Sequence, residues 1–242
     1  MSNRIFVLNG MSYASAVRGL GEITYDENEF LEHPEEFKLV LFTGGEDVTP
    51  ELYGETSPKG QCYNNARRDR QEMAIFQLAL SSGILMAGIC RGIQFLNVMS
   101  GGRLMHHISS HAGGVHSMLI RPGRKVIQVN SLHHQMVIPH KDAEIIGITP
   151  RRLSNVYVSV SDTEIEYHGR EVEAAIFPKT RSFGVQYHPE MMSKGSEGYQ
   201  FFYKMVENAL TLDWDLFIKA YTEGLDNVQL FEVHDLDRSV SG

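Results

Sequence analysis

A cysteine flanked by glycines lies where an apolar strand segment gives way to a helical segment. The residues Gly88-Ile89-Cys90-Arg91-Gly92 follow the apolar run 84–89 and open the helical stretch 92–98. A sharp strand-to-helix turn crowds the backbone, so only small residues fit on either side of the central side chain. This G-x-C-x-G element predicts a turn that exposes the Cys90 sulfur at a helix start, a position that favours the nucleophilic thiolate.

Short apolar runs alternate with helical segments along most of the chain. Buried strands are predicted at residues 5–8, 39–42, 84–89, 126–129, 174–177 and 183–187. Helices are predicted at 71–80, 92–98 and 199–210, the first opening with Asp69 and Glu72 spaced as a capping box. This alternation predicts an α/β fold with a mostly parallel central sheet and helices on both faces. The strand-rich stretch 126–177 predicts a small antiparallel extension.

The length of 242 residues suits one α/β domain. We predict a single domain over residues 1–210, followed by an acidic tail over residues 211–242 that is partly helical or disordered. No apolar run approaches the roughly 20 residues that a membrane-spanning helix needs. The sequence therefore predicts a cytoplasmic protein with no membrane partner.

The charge and the cysteine content narrow the kinds of partner. A net charge of −8 disfavours binding to nucleic-acid phosphates, so we expect no nucleic-acid partner and a small-molecule substrate instead. The two cysteines, Cys62 and Cys90, are too few for a disulfide scaffold. One of them is free to serve as a working thiol, although a buried apolar role for Cys90 is the alternative.

A late strand supplies a base for such a thiol. The predicted strand 183–187 delivers His188 at its carboxyl end, where parallel sheets place ligand sites. Pro189 cannot continue the strand ladder, so the chain turns and brings Glu190 back towards the imidazole. A carboxylate on one ring nitrogen fixes the tautomer and leaves the other nitrogen facing the thiol. We predict Cys90 as nucleophile, His188 as base and Glu190 as the orienting carboxylate.

These elements resemble class I glutamine amidotransferases. The matching motifs are T-G-G-E-D-V at residues 43–48, G-I-C-R-G-I-Q at 88–94, V-N-S-L-H-H-Q at 129–135 and V-Q-Y-H-P-E at 185–190. The resemblance extends over roughly residues 38–208 and is closest to the branch that hydrolyses γ-glutamyl amides and γ-glutamyl peptides. It implies a flavodoxin-like fold and a cysteine-dependent hydrolase that cleaves a γ-glutamyl amide through a thioester, without a cofactor. Glutamate and an amine would be the products.

The resemblance also implies roles for residues outside the Cys-His-Glu set. Backbone N–H groups of Gly45 and Arg91 would form the oxyanion hole, since a Gly-rich turn and a helix start are where free N–H groups point outwards. Gln94 would contact the glutamyl group of the substrate. His133 would border the same pocket, with a structural role as the alternative.

Three further charged residues belong to the resemblance: Arg68, Asp69 and Glu72. Arg68 would meet the carboxylate, with Arg67 and Arg70 as alternatives. We assign Asp69 and Glu72 to capping of the predicted helix rather than to catalysis.

Four histidines raise the alternative of a metal site: His106, His107, His111 and His116. No H-E-x-x-H or C-x-x-C pattern accompanies them. We therefore expect these residues to form a polar loop beside the active site, with no metal bound.

Other kinds of function fit the sequence less well. DJ-1-like proteins and other cysteine hydrolases share the elbow but do not place His-Pro-Glu after a late strand. A degenerate, non-catalytic subunit would be expected to have lost the cysteine or the histidine. Within the family, a glutaminase subunit that passes ammonia to a separate synthase partner stays open, as does formation of a homodimer. The absence of a fused synthase domain favours a standalone hydrolase.

Overall fold

Five helices and fourteen strands form the part of the chain that the structure describes, residues 3–223 of a computed structural model. The helices are α1 Glu27–Glu32, α2 Ala66–Ser81, α3 Arg91–Met99, α4 Glu197–Thr211 and α5 Trp214–Thr222. The strands are β1 Arg4–Leu8, β2 Glu22–Thr24, β3 Leu39–Phe42, β4 Leu85–Ile89, β5 Arg103–Met105, β6 His107–Ile108, β7 Val115–Ile120, β8 Lys125–Asn130, β9 Met136–Ile138, β10 Glu144–Ile148, β11 Tyr157–Ser159, β12 Thr163–Glu164, β13 Val172–Phe177 and β14 Ser182–Val185. None of the described helices is long and apolar enough to cross a bilayer.

The main sheet combines a parallel half with an antiparallel half. Among the described residues it has nine strands in the order β2-β1-β3-β4-β14-β13-β10-β7-β8. The pairings from β2 through β14 are parallel, and those from β14 through β8 are antiparallel. The predicted α/β class is confirmed, and the antiparallel extension is larger than the small one expected because four strands contribute to it.

The two faces of the sheet are buried under different helices. Alternate residues of a strand point to opposite faces. In β1, Ile5 and Val7 join a core that includes residues of α4 and α5, whereas Phe6 and Leu8 join a core with α1, α2 and α3. Burying each such side chain stabilises the fold by about 1.5–3 kcal/mol. Helices thus cover both faces, as predicted.

The second helix begins earlier than the sequence pattern indicated. It starts at Ala66, and the side chain of Asn65 caps it by accepting the Arg68 N–H at 3.2 Å. The predicted start near residue 71 with a capping box is therefore wrong. Asp69 and Glu72 are buried on the inner face of the helix. The spacing of apolar residues could not predict the first turn of α2, because the residues that this turn buries are charged.

The helix α5 packs onto the same core as the central sheet. Trp214 and Phe217 are buried with residues of α4, and the Trp214 indole N–H donates to the Pro178 carbonyl at 3.1 Å. The predicted domain boundary at residue 210 therefore falls just before a packed helix. The remainder of the predicted tail, from residue 224 onwards, lies outside the described residues.

We predict that Phe217→Ala lowers the free energy of unfolding by about 3–5 kcal/mol, because it removes a fully buried ring and leaves a cavity. Leu216→Ala on the same helix is the control, since Leu216 is 57% exposed and its loss should cost under about 0.5 kcal/mol. Urea denaturation followed by circular dichroism measures both. Equal, small effects of the two changes would show that α5 is not part of the cooperative unit.

Candidate active site

The carboxyl ends of three adjacent parallel strands carry the predicted catalytic groups. β3 runs into Gly44 and Gly45, β4 into Cys90, and β14 towards His188. Phe42 pairs with Gly88 in register, as Val185 does with Ile89. The three loops consequently leave the sheet at one edge, where open α/β sheets bind their ligands.

Cys90 occupies a strained turn between β4 and α3. Its φ is 54° and its ψ −111°, a conformation that residues with side chains rarely adopt. The Cys90 N–H donates to the Val185 carbonyl at 2.9 Å, which fixes the turn against β14. A Cβ on Gly88 would lie 2.5 Å from the Gly92 carbonyl carbon, and one on Gly92 would collide with the Phe42 carbonyl. Both glycines of the predicted elbow are therefore required by close packing.

His188 lies between Cys90 and Glu190. Its Nδ1 is 2.7 Å from Glu190 Oε1, and its ring also forms a hydrogen bond with the Cys90 thiol. Burial lowers the pKa of the imidazole, but these two hydrogen bonds act in the opposite direction and raise it to about 10. The structure thus brings together the three residues that the sequence nominated, with the histidine in its charged form at neutral pH.

Asn130 holds the backbone of His188 and was not singled out from the sequence. The His188 N–H donates to Asn130 Oδ1 at 2.8 Å, and Asn130 Nδ2 donates to the His188 carbonyl at 2.9 Å. This pair of bonds fixes the point at which the chain leaves β14. The only sequence signal for Asn130 was its position in the motif V-N-S-L-H-H-Q at residues 129–135.

The predicted oxyanion-hole residues lie on either side of this constellation. Arg91 is the first residue of α3, and N–H groups in a first helical turn have no acceptor within the helix. Gly45 has a φ of 139°, and a Cβ on the preceding Gly44 would lie 3.2 Å from Cε1 of His188. The glycine loop therefore lies against the imidazole, and the role of both N–H groups stays a prediction.

Comparisons with known proteins identify relatives of the chain. Residues 22–119 match the Peptidase C26 family model. The glutamine amidotransferase-like protein YvdE of Lactococcus lactis is 33% identical over 41% of this chain and 50% of its own length. Protein NtpR of Enterococcus hirae is 28% identical over 64% of this chain and 66% of its own length. A solved glutamine amidotransferase from Thermotoga maritima superposes with a TM-score of 0.55 at 17% identity, covering 91% of this chain and 90% of that one.

The chain is similar to class I glutamine amidotransferases. The alignments span only about half to two thirds of the curated relatives' lengths, and the likeness to the Thermotoga structure shows the fold. This similarity is consistent with the elbow and with the strand order of the parallel half.

A buried charge network lies behind Cys90. Arg91 is only 1% exposed and forms ion pairs with Asp69 and Glu72. Asp69 also accepts the Thr49 N–H at 3.0 Å. Assignment of the two acids to helix capping is therefore wrong, because their carboxylates neutralise a buried guanidinium and join α2 to the start of α3.

Arg68 holds the glycine loop at Gly44 and Gly45 in place. Its guanidinium donates to Glu72 at 2.8 Å, to Glu46 at 2.9 Å and to the Gly44 carbonyl at 2.9 Å. A Cβ on Gly45 would collide with the same guanidinium, which is a reason for glycine at that position. Arg68 thus has a structural task, and its contact with a substrate carboxylate stays a prediction.

Gln94 and His133 meet at one carbonyl group. Gln94 Nε2 donates to the Gln135 carbonyl at 3.3 Å, and His133 Nδ1 lies 2.8 Å from the same oxygen. Burial lowers the pKa of His133 to about 4, so its ring is neutral at pH 7. Since the His133 side chain is almost fully buried, the structural alternative left open by the sequence has geometric support.

Tyr13 is a second site residue that the sequence did not indicate. Its ring centroid is 6.2 Å from that of His188, and its hydroxyl forms a hydrogen bond with the backbone of Gly44. Burial, with the charges of Glu190 and Cys90, raises the pKa of Tyr13 well above its usual value. A neutral phenol therefore forms one wall beside the imidazole.

The four clustered histidines do not share one polar loop. His106 and His111 are fully buried, and they lie in different side-chain clusters. His106 lies 2.8 Å from Asp162 and 3.0 Å from Glu55, near Cys62. His111 and His116 instead meet Glu173. The expected single loop is wrong because the short strand β6 separates the two groups.

We predict that Asp69→Asn lowers the free energy of unfolding by about 3–5 kcal/mol, because it leaves part of the buried Arg91 charge uncompensated. Loss of a capping contact alone would cost only about 1 kcal/mol. Urea denaturation distinguishes these values, with Arg70→Ala as a control because Arg70 is an exposed neighbour. A loss near that of a capping contact would contradict the buried-network role.

Proposed function

We propose that this chain hydrolyses a γ-glutamyl amide bond, in glutamine or in a γ-glutamyl amine, to glutamate and the free amine. The observation that carries the proposal is His188, bonded to both Cys90 and Glu190 at the carboxyl edge of the parallel strands. A raised imidazole pKa favours a thiolate–imidazolium pair, which is the reactive state of cysteine hydrolases. The chemistry proposed needs no cofactor.

In the first half-reaction, Cys90 thiolate attacks the γ-carbonyl carbon and forms a tetrahedral intermediate. Its oxyanion accepts hydrogen bonds from the backbone N–H groups of Gly45 and Arg91, each worth about 3 kcal/mol in comparable sites. The His188 imidazolium gives its proton to the departing nitrogen, the C–N bond breaks and the amine leaves. A γ-glutamyl thioester remains on Cys90.

In the second half-reaction, neutral His188 takes a proton from water, and the resulting hydroxide attacks the thioester. The C–S bond breaks, glutamate departs and the thiolate–imidazolium pair is restored. Glu190 keeps the imidazole oriented throughout through its bond to Nδ1. The half-buried phenol of Tyr13 lies beside the imidazole ring.

We propose two substrate contacts from the positions of Gln94 and Arg68 in the fold. Gln94, on the first turn of α3, would contact the glutamyl group, and Arg68 would attract its α-carboxylate from the rim of the glycine loop.

The second candidate function is that of a glutaminase subunit that passes ammonia to a synthase partner. Activity that appears only after addition of a partner fraction would favour it.

We predict that the purified protein releases glutamate from one or more members of a panel of γ-glutamyl amides, and that Cys90→Ala abolishes the release by removing the nucleophile. Mass spectrometry measures the released glutamate and detects the γ-glutamyl adduct on Cys90. Cys62→Ala is the matched control and should retain activity, because Cys62 lies in a separate cluster with His106 and Asp162. Equal turnover by the Cys90→Ala variant and the parent would refute the thioester mechanism.

We predict that kcat/KM holds steady up to about pH 10 and falls above it, because the imidazolium loses its proton as the pH passes the raised pKa of His188. Glu190→Gln removes an anionic partner that raises this pKa, so the alkaline limb should move to lower pH. Glu166→Gln alters an exposed carboxylate and should leave the limb in place. If the alkaline fall of kcat/KM stayed at the same pH in Glu190→Gln, the proposed role of Glu190 in charging and orienting His188 would be contradicted.

A further inference from the structure

Three histidines and a glutamate converge in the antiparallel half of the molecule. We call His111, His116, His133 and Glu173 the histidine–glutamate cluster. His111 precedes β7, His116 lies on β7, His133 follows β8, and Glu173 lies on β13. His111, His133 and Glu173 are buried, whereas His116 is half-buried, with a side chain 10% exposed.

The nitrogen atoms of the cluster surround one carboxylate oxygen. Glu173 Oε1 is 3.0 Å from His116 Nε2, 3.6 Å from His111 Nδ1 and 3.9 Å from His133 Nε2. Ligands bonded to a tetrahedral Zn²⁺ at about 2.0–2.1 Å lie about 3.3–3.4 Å apart. The ligand atoms of His111, His116 and Glu173 all lie within 4.8 Å of one another, so modest side-chain shifts bring these three residues to the spacing of such a site.

His133 presents a lone pair to the cluster rather than a proton. Its Nδ1 lies 2.8 Å from the Gln135 carbonyl, which can only accept, so the ring proton is on Nδ1. In the neutral ring, Nε2 is then an acceptor, and it faces the acceptor oxygen of Glu173. Neither His133 Nε2 nor Glu173 Oε2 has a hydrogen-bond partner within the described residues, although both are buried. Buried acceptors that lack a donor favour a cation nearby.

A second carboxylate orients His111 from behind. Glu171 Oε2 is 3.5 Å from His111 Nε2, on the ring side opposite to the nitrogen that faces Glu173. Glu171 is itself held by the N–H groups of Leu153 and Ser154 and by the hydroxyl of Tyr157. Carboxylate–histidine–metal chains of this kind fix the ring of a metal ligand.

The cluster has a route to solvent. His116 lines a surface cleft of about 520 Å³ together with Gln128, Pro150 and Arg151. An ion can enter past the one side chain of the set that is partly exposed. A buried site with ligands, an orienting partner and an entry path meets the checkable requirements for metal binding.

We infer that the histidine–glutamate cluster binds a divalent transition-metal ion, Zn²⁺ foremost, through His111 Nδ1, His116 Nε2 and Glu173 Oε1. Two imidazoles and one carboxylate suit Zn²⁺, and the fourth position is left to a water molecule beside His133 Nε2. The Glu173 carbonyl accepts the Gln186 N–H at 2.8 Å, two residues before His188. The ion thus stabilises the strand that carries the catalytic imidazole without touching substrate.

The neighbouring cluster of Cys62, His106 and Asp162 provides an internal contrast. There a single imidazole lies between two carboxylates, with Nδ1 2.8 Å from Asp162 and Nε2 3.0 Å from Glu55. In the histidine–glutamate cluster a protonated His116 could serve Glu173 but would leave His133 Nε2 unpaired.

The test uses the full chain without a histidine tag, stripped with a chelator and titrated with Zn²⁺ by calorimetry. We expect one Zn²⁺ per chain, a rise in Tm on binding, no response to Mg²⁺, and tetrahedral Co²⁺ absorption when Co²⁺ replaces zinc. His116→Gln should weaken Zn²⁺ affinity at least 10- to 100-fold. His168→Gln, which changes an exposed histidine outside the cluster, should bind as the parent does.

Two results would overturn the inference. One is a folded parent protein that takes up no Zn²⁺, which would mean that protons alone bridge the cluster. The other is binding that His168→Gln weakens and His116→Gln does not. If His116→Gln fails to fold, anomalous scattering at the zinc edge from parent crystals decides the matter, because a peak must lie beside Glu173 Oε1. This inference does not rest on the proposed hydrolase activity.

Discussion

The backbone at Cys90 is held in a conformation that an isolated chain would avoid, and the rest of the site depends on it. A residue with a side chain at φ 54° costs of order 1–3 kcal/mol, so surrounding contacts must impose it. They do so from both sides, through the bond to Val185 of β14 and the contact of Gly92 with the Phe42 carbonyl of β3. The parallel core of the sheet thereby positions Cys90 at its carboxyl edge, but the residue is only 7% exposed, so the exposed sulfur predicted from the sequence is wrong.

Buried charge then connects this turn to the loops around it. Arg91 faces inwards to Asp69 and Glu72, while Glu72 also accepts from Arg68, which holds the glycine loop. Two guanidinium groups and two acids from α2 and α3 thus form one network. Such a network persists only if every member is paired, because a lone buried charge is severely destabilising. It connects the start of α3, next to Cys90, with the glycine loop at Gly44 and Gly45.

The antiparallel half of the sheet positions the base. Asn130, at the end of β8, clamps the backbone of His188, and Glu173 of β13 pairs with the strand that leads to it. Nucleophile and base therefore rely on different halves of the molecule. Their junction is the pairing of β4 with β14, where parallel strands give way to antiparallel ones.

Six strands (β1, β3, β4, β8, β13 and β14), the elbow and the order of Cys90, His188 and Glu190 were readable from the sequence, because each is a local pattern of apolar residues or turn chemistry. The other eight described strands were not predicted. The start of α2 was not, since its first turn buries charges that find partners only when Arg91 arrives from α3. Tyr13 and Asn130 escaped notice for the same reason: Asn130 meets His188 across 58 residues of chain. Spacing placed His106, His107, His111 and His116 together, yet the fold divided them and added His133 and Glu173. Contacts between distant segments follow from the sheet order, and no local pattern contains that order.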